Sequence, residues 1–333
     1  MKQSMFKRVL PFAMAALLLF AAGCGKAPVQ DKAEEVAPEP VTIGGEADET
    51  NTANVDHSSL YSVDGTTEES NGESYASDTA NVNTILVEKL GVLTMTSADI
   101  NKTGDSTGDF SGGQNAAVAV ISKGQLTLNQ SNITTNGTGA AGMIVSAEGT
   151  QLAVNDTSVY TSGESSPALI VRDDASAVIT SGTLSTEGTD SPAILLLGGR
   201  LTLTGVTVTS KSGNTLRVLA GYNFLTLDNT AITAMPELQE GTTLVLSLQK
   251  GASFGGVLGG SVPAKASVTL DATSRLILTQ ETYLAGFINA DLTHANIQSN
   301  GFNLYYDSSV AENAYLEGQS FLLPGGGFLA PII

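Results

Sequence analysis

From Leu93 onward, aliphatic residues recur in pairs separated by one residue, and the pairs return at a nearly constant interval. Leu126 and Leu128, Leu152 and Val154, Ala177 and Ile179, Leu201 and Leu203, and Leu225 and Leu227 follow one another at spacings of 26, 25, 24 and 24 residues. A second column keeps step, at Ile133, Val159, Leu184, Val208 and Ile232, each five positions after the last aliphatic residue of its pair. Met95 and Ile100 show the same gap. Alternation of period two marks short strands with one face buried. A fixed period of about 25 residues without a helical pattern between strands marks a solenoid, in which each coil rests on the one before. Stacking then places Leu128, Val154, Ile179, Leu203 and Leu227 in one internal ladder. Burying each such side chain stabilises the fold by about 1.5–3 kcal/mol before entropy is counted.

A further strand precedes each pair: Ala117–Val120, Met143–Val145, Leu169–Val171, Ile194–Leu197 and Leu216–Leu219. Three strands in a coil of this length predict an all-β, right-handed parallel β-helix. Lys123–Gly124, Glu148–Gly149, Gly198–Gly199 and Gly221 supply turns, where glycine adopts positive φ without a side-chain clash. Asn129, Asn155, Thr180, Thr204 and Asp228 form a column at the five-step corner and are expected to satisfy turn backbone groups. Leu93 to Leu126 is 33 residues instead of about 25, so Thr103–Asn115 is an insertion expected to project as a loop. Asp105 and Asp109 in that loop bring oxygen ligands, but their spacing matches no calcium motif. No metal and no cofactor are assigned. Beyond Met235 strands continue at Leu244–Leu248, Val268–Leu270, Leu276–Leu278 and Phe302–Tyr306, and the segment from Leu322 to Ile333 is expected to cap the last coil.

The N-terminal segment has a different pattern. Lys2, Lys7 and Arg8 precede the apolar run Val9–Phe20, and Ala21-Ala22-Gly23-Cys24 follows. This resembles a bacterial lipoprotein signal peptide. The resemblance implies cleavage before Cys24 and acylation of that cysteine, the only one in the chain. Gly25–Asp78 carries 13 of the 33 acidic residues, with Pro28, Pro38 and Pro40 and few aliphatics. Low hydrophobicity and like charge predict a disordered linker there. The expected organisation is residues 1–23 as signal, 24–80 as lipidated cysteine and linker, and 81–333 as the β-helix with its cap. The expected location is extracytoplasmic, with the chain held at a membrane through the lipid.

Net charge is −18, with 15 basic residues, which argues against nucleic acid as a partner because phosphate binding needs clustered Lys and Arg. Parallel β-helices also host polysaccharide-cleaving enzymes, whose chemistry needs a histidine or paired carboxylates with a basic residue. The two histidines are His57 and His294; neither lies in a Gly-His-Gly, and no Arg-x-Lys follows. The remaining candidate constellation is Asp156, Asp173 and Asp174 with Arg172 and Arg200, with Arg217 further along the rod. Carboxylates on adjacent coils would have to pair for acid–base work on a glycoside. Thr127, Thr202 and Thr226 face outward as in ice-binding solenoids, but Ala153 and Val178 interrupt them.

The segments Ile100–Ser106 with Asn115–Val118, and Ile297–Gly301 with Leu304–Ser309 and Leu323–Gly327, carry a resemblance that covers about Ile85 to Pro331. They resemble the β-helical passenger domains of pertactin-like autotransporter adhesins, and β-helical surface lipoproteins with carbohydrate-binding or adhesin-like domains from gut bacteria. The translocator barrel of an autotransporter has no counterpart here. The lipid anchor, the acidic spacer, the Thr/Ser/Asn-rich repeat and the missing catalytic set point to a non-enzymatic adhesin, expected as a monomer, that binds glycans or another cell's surface. The alternative is a β-helix lyase or hydrolase acting on acidic polysaccharides through the aspartates above.

Overall fold

The computed structural model describes residues 57–106, 108, 110–233, 237–259 and 266–332, all within the compact unit Thr52–Ile333. Cys24, the signal segment and residues 25–56 lie outside the described residues. The fold is all-β: a parallel solenoid of about ten turns, each coil about 25 residues long. The periodic aliphatic pairs are its rungs, as the spacing requires.

Each coil carries three strand positions, here called faces one, two and three. On face two, the register runs Glu68, Leu93, Leu126, Leu152, Ala177, Leu201, Leu225, Leu246, Val268, Phe287. Beside it runs Ser70, Met95, Leu128, Val154, Ile179, Leu203, Leu227, Leu248, Leu270, Asn289. Every aliphatic member of both ladders is at most 2 % exposed. Polar residues appear only at the end rungs. In the first coil the Tyr61 hydroxyl donates to Glu68 Oε2 at 2.5 Å and the Ser70 and Tyr75 hydroxyls lie 3.0 Å apart. These pairs give the rod a polar lid, as terminal repeats of solenoids require. On face three, Tyr75, Ile100, Ile133, Val159, Leu184 and Val208 stack.

The corner between faces two and three uses one residue per coil in the left-handed region. Ser97, Gln130, Asp156, Ser181, Gly205, Asn229 and Lys250 all have φ between 46° and 62°. One position further on, at three of these corners, a buried hydroxyl closes the turn. Ser131, Thr157 and Thr230 donate to the carbonyls of Asn129, Asn155 and Asp228 and accept the N–H of Ala98, Ser131 and Val206 on the preceding coil. This corrects the role expected for the Asn129–Asn155 column. Those amides bond to each other, Asn155 Nδ2 to Asn129 Oδ1 at 3.0 Å, while the hydroxyls two residues later hold the turn.

Two further expectations are corrected. The expected boundary at residue 81 is too late, because Ser58–Asp64, Thr67–Asn71 and Ser74–Ser77 are strands paired with the next coil. They lack the aliphatic signature because an end coil buries only one side. The 103–115 insertion does not project either. Face one carries an outward column of Leu86, Ala119, Ile144, Ile170 and Leu195, each at most 2 % exposed. The insertion lies against it: Arg172 Nη1 donates to Ser111 O at 2.6 Å, and a Cβ at Gly113 would sit 3.0 Å from Ile144 Cδ1. An aliphatic outer column draws cover. At the far end Phe321–Leu322 pairs antiparallel with Phe328–Pro331, the one such pair among the described residues, within the segment expected to cap the last coil.

Candidate binding face

Outward residues of face two form three parallel columns, since side chains alternate across the strands. The central one is Glu69, Thr94, Thr127, Ala153, Val178, Thr202, Thr226, Ser247, Thr269 and Ile288. Ten rungs at strand spacing extend about 45 Å. The threonines are thus in register, and Ala153 and Val178 break the row where the sequence places them. Three shallow depressions open on this face. One of about 320 Å³ lies at Glu69, Asn71 and Thr94, and one of about 130 Å³ lies at Thr127, Ala153 and Val178. The third, about 360 Å³, lies at Ser247, Thr269, Asp271 and Ile288.

Asp271 is preorganised at the edge of that third depression. Partial burial disfavours its charged form, but the Lys250 and Thr273 N–H groups and the Ser274 and Thr273 donors outweigh it. The carboxyl is therefore held well below the usual carboxylate range. Lys250 Nζ in turn pairs with Asp228.

The column beside the central one runs Gln125, Gln151, Ser176, Arg200, Phe224 and Val245. Here the small polar surface gives way to a cation and aromatics. The Arg200 guanidinium lies 4.0 Å above the Phe224 ring, a geometry in which the ring's negative face attracts the cation. The Tyr222 ring centroid is 5.5 Å from that of Phe224. Neither aromatic was singled out from the sequence. The available signal was two aromatics at alternate positions of one strand in a chain with 5 % aromatic residues.

The candidate acidic set is divided between two corners. Asp173 and Asp174, with φ of 53° and 61°, make the turn from face one to face two. Asp156 sits at the turn from face two to face three, where it aligns with Ser181 of the next coil. The strand from Ala175 to Thr180 separates the two corners by about 20 Å. Paired carboxylates in glycoside hydrolysis stand about 5–9.5 Å apart. Asp156 therefore does not pair with Asp173 or Asp174, contrary to the sequence expectation for adjacent coils. Arg172 is engaged by Asp173 at 2.7 Å as well as by Ser111 O, and Ser146 Oγ donates to the same Asp173 oxygen at 2.8 Å. Arg217 pairs with Asp190 at 2.6 Å. Of the candidate set, Arg200 alone lies in the outward columns of face two.

Asp105 accepts the Thr138 N–H at 2.8 Å and so ties the insertion to the next coil, while Asp109 lies outside the described residues. Among the described residues no three His, Cys, Asp or Glu side chains gather as metal ligands. His294 is 2 % exposed between Phe287 and Phe321. Burial lowers its pKa, against a weaker opposing pull from Asp291. His57 bonds to Gly113 O at 3.1 Å. Comparison with family models, curated proteins and solved structures returns no match to this chain.

Proposed function

We propose that this chain is a non-enzymatic, adhesin-like lipoprotein of the cell surface, held at the membrane through an acylated Cys24 and presenting its rod to glycans or to another surface. The observation that carries this reading is face two. It is a long, regular and mostly small-polar array, and the three depressions described above all lie on it. A repetitive ligand is matched by a repetitive receptor surface, because each rung offers the same donors and acceptors at the strand spacing. The net charge of −18 works against polyanions and nucleic acid. Cleavage of acidic polysaccharide has no observation in its favour, given the separation of Asp156 from the Asp173–Asp174 corner.

The test has two arms. Metabolic labelling with a fatty acid should mark the wild type and leave Cys24→Ser unlabelled. On glycan arrays and mucin-coated surfaces the full mature chain should be retained, and Thr202→Arg with Thr226→Arg should abolish retention by blocking the centre of the face. Retention that survives the double substitution would remove face two as the binding surface.

A further inference from the structure

We propose that Tyr222, Phe224 and Arg200 form a subsite for an uncharged pyranose ring, an inference that rests on the glycan-binding reading above and specifies it. Tyr222 is 56 % exposed in a chain with no tryptophan and 5 % aromatic residues. An aromatic surface left open to water beside a column of mostly threonine and serine is a place for an apolar ligand face. The two rings are inclined at 44°, so together they make a shallow trough into which the C–H side of a sugar ring fits.

The trough is held rigidly. Asn223, between the two aromatics, is fully buried and accepts the Gly198 N–H at 2.8 Å. Its amide donates to the carbonyls of Ala220, Gly221 and Thr243 at 2.8, 3.2 and 3.2 Å. With residue 223 pinned inward, residues 222 and 224 project outward together. Gly198 and Gly221 bring two turns into contact beside the trough: a Cβ at Gly221 would lie 2.8 Å from Gly198 Cα. The floor there is bare backbone.

Polar groups border the trough on opposite sides. The Arg200 guanidinium is exposed and has no carboxylate partner among the described residues. Its planar face is occupied by Phe224, leaving its N–H edges as donors. Across Gly198 lies the Asp173 turn, since a Cβ at Gly198 would be 3.8 Å from Asp173 N and 3.9 Å from Tyr222 N. Asp173 and Asp174 thus stand about two coil spacings, or about 10 Å, from Tyr222. Aromatic surface flanked by one donor fork and carboxylate acceptors suits hydroxyl groups, each of which both donates and accepts. It does not suit an acidic sugar. Arg172 already neutralises Asp173 and Arg200 offsets Asp174, so a carboxylate or sulfate ligand is disfavoured by the net charge of −18 on the chain as a whole.

Affinity electrophoresis of the full mature chain in detergent, through gels containing neutral glucans, galactans or mannans and, separately, uronate polymers, tests this. At least one neutral polymer should retard the wild type. Tyr222→Ala should weaken that retardation by about tenfold, and Arg200→Met, which keeps contact with Phe224 but removes the donors, should weaken it by a smaller factor. Tyr160→Ala, on face three, should change nothing. Circular dichroism should be unaltered in all three, since these side chains point to solvent. Neutral-polymer binding unchanged in Tyr222→Ala would overturn the subsite while leaving glycan binding intact. Retardation by uronate polymers alone would overturn the uncharged-sugar assignment and again leave glycan binding standing. Failure to bind any saccharide would remove the inference and the reading beneath it.

Discussion

The corner between face three and the next coil gives the sharpest test of the stacking. Gly137, Gly163 and Gly188 follow one another there, and each lies under the carbonyl of the glycine one coil earlier. A Cβ at Gly188 would be 1.7 Å from Gly163 O and 2.7 Å from Ser191 Oγ. Gly188 has no positive φ, so the obstacle to a side chain is steric contact alone. The methyl group must retreat by about 1.3 Å to reach even the 3.0 Å limit of real contacts, more than a quarter of the ~4.8 Å coil spacing. That movement pulls Ser191 Oγ away from Gly163 O, now 2.9 Å, and from the Ser166 N–H, also 2.9 Å. Both serines are fully buried. Overpacking costs about 1–3 kcal/mol, and each buried polar group left unmatched costs about 1–3 kcal/mol more. Gly188→Ala should therefore destabilise the solenoid by at least about 3 kcal/mol, read from urea unfolding followed by circular dichroism. Gly112→Ala, where a Cβ meets nothing within 4 Å, should stay within about 0.5 kcal/mol of wild type. A loss below about 1 kcal/mol for Gly188→Ala would refute close carbonyl stacking at this corner.

Three further outcomes are expected. Lys102 occupies the column otherwise filled by Ser77, Thr135 and Thr161, is fully buried, and donates to Thr79 O at 2.7 Å. Burial lowers its pKa against weaker opposing pulls from Asp78 and Asp105, so between its folded pKa and 10.5 the unfolded chain holds the extra proton and stability rises with pH. Relative to Lys102→Met, the wild type should gain stability as pH climbs toward 10, and a pH-independent difference between the two would contradict this. Glu68→Leu should turn the polar first rung into an open apolar one and cause concentration-dependent association in sedimentation velocity; it should also bring Tyr61, now pushed up to about 12 chiefly by its bond to Glu68, back toward its ordinary value. Arg172→Ala removes the bond to Ser111 O and should speed proteolytic cutting within residues 103–115, whereas an unchanged digestion rate would mean that this bond does not hold the segment down.

The repeat was legible because it is built from local alternation and a constant period. Leu126, Leu152, Ala177, Leu201 and Leu225 had to face one way, and spacings of 24 to 26 residues had to bring them into register. The aliphatic ladders, the three strands per coil and the position of the corner column from Asn129 to Asp228 follow from that alone. The first coil did not follow, because Tyr61, Glu68, Ser70 and Tyr75 satisfy each other's polar groups and carry no aliphatic signature. Pairing of Ser58–Asp64 with Val82–Glu88 is what reveals it. The outer aliphatic column at Ile144 and Ile170 gave a continuous apolar run, but nothing in that run says that residues 103–115 fold over it.

The candidate site divides along the same line. Sequence placed Arg200, Asp156, Asp173 and Asp174 on nearby coils, since coil number is a count of residues. It did not determine which corner of the coil each occupies, and that separates Asp156 from the other two aspartates by the length of a strand. Nor did it connect Arg200 with Phe224, 24 residues away, or show that Asn223 turns inward and leaves Tyr222 facing solvent. Period and alternation assign a residue to a rung and a side. Contacts between non-equivalent positions of neighbouring coils depend on where each turn bends the chain, and only the wound structure fixes that.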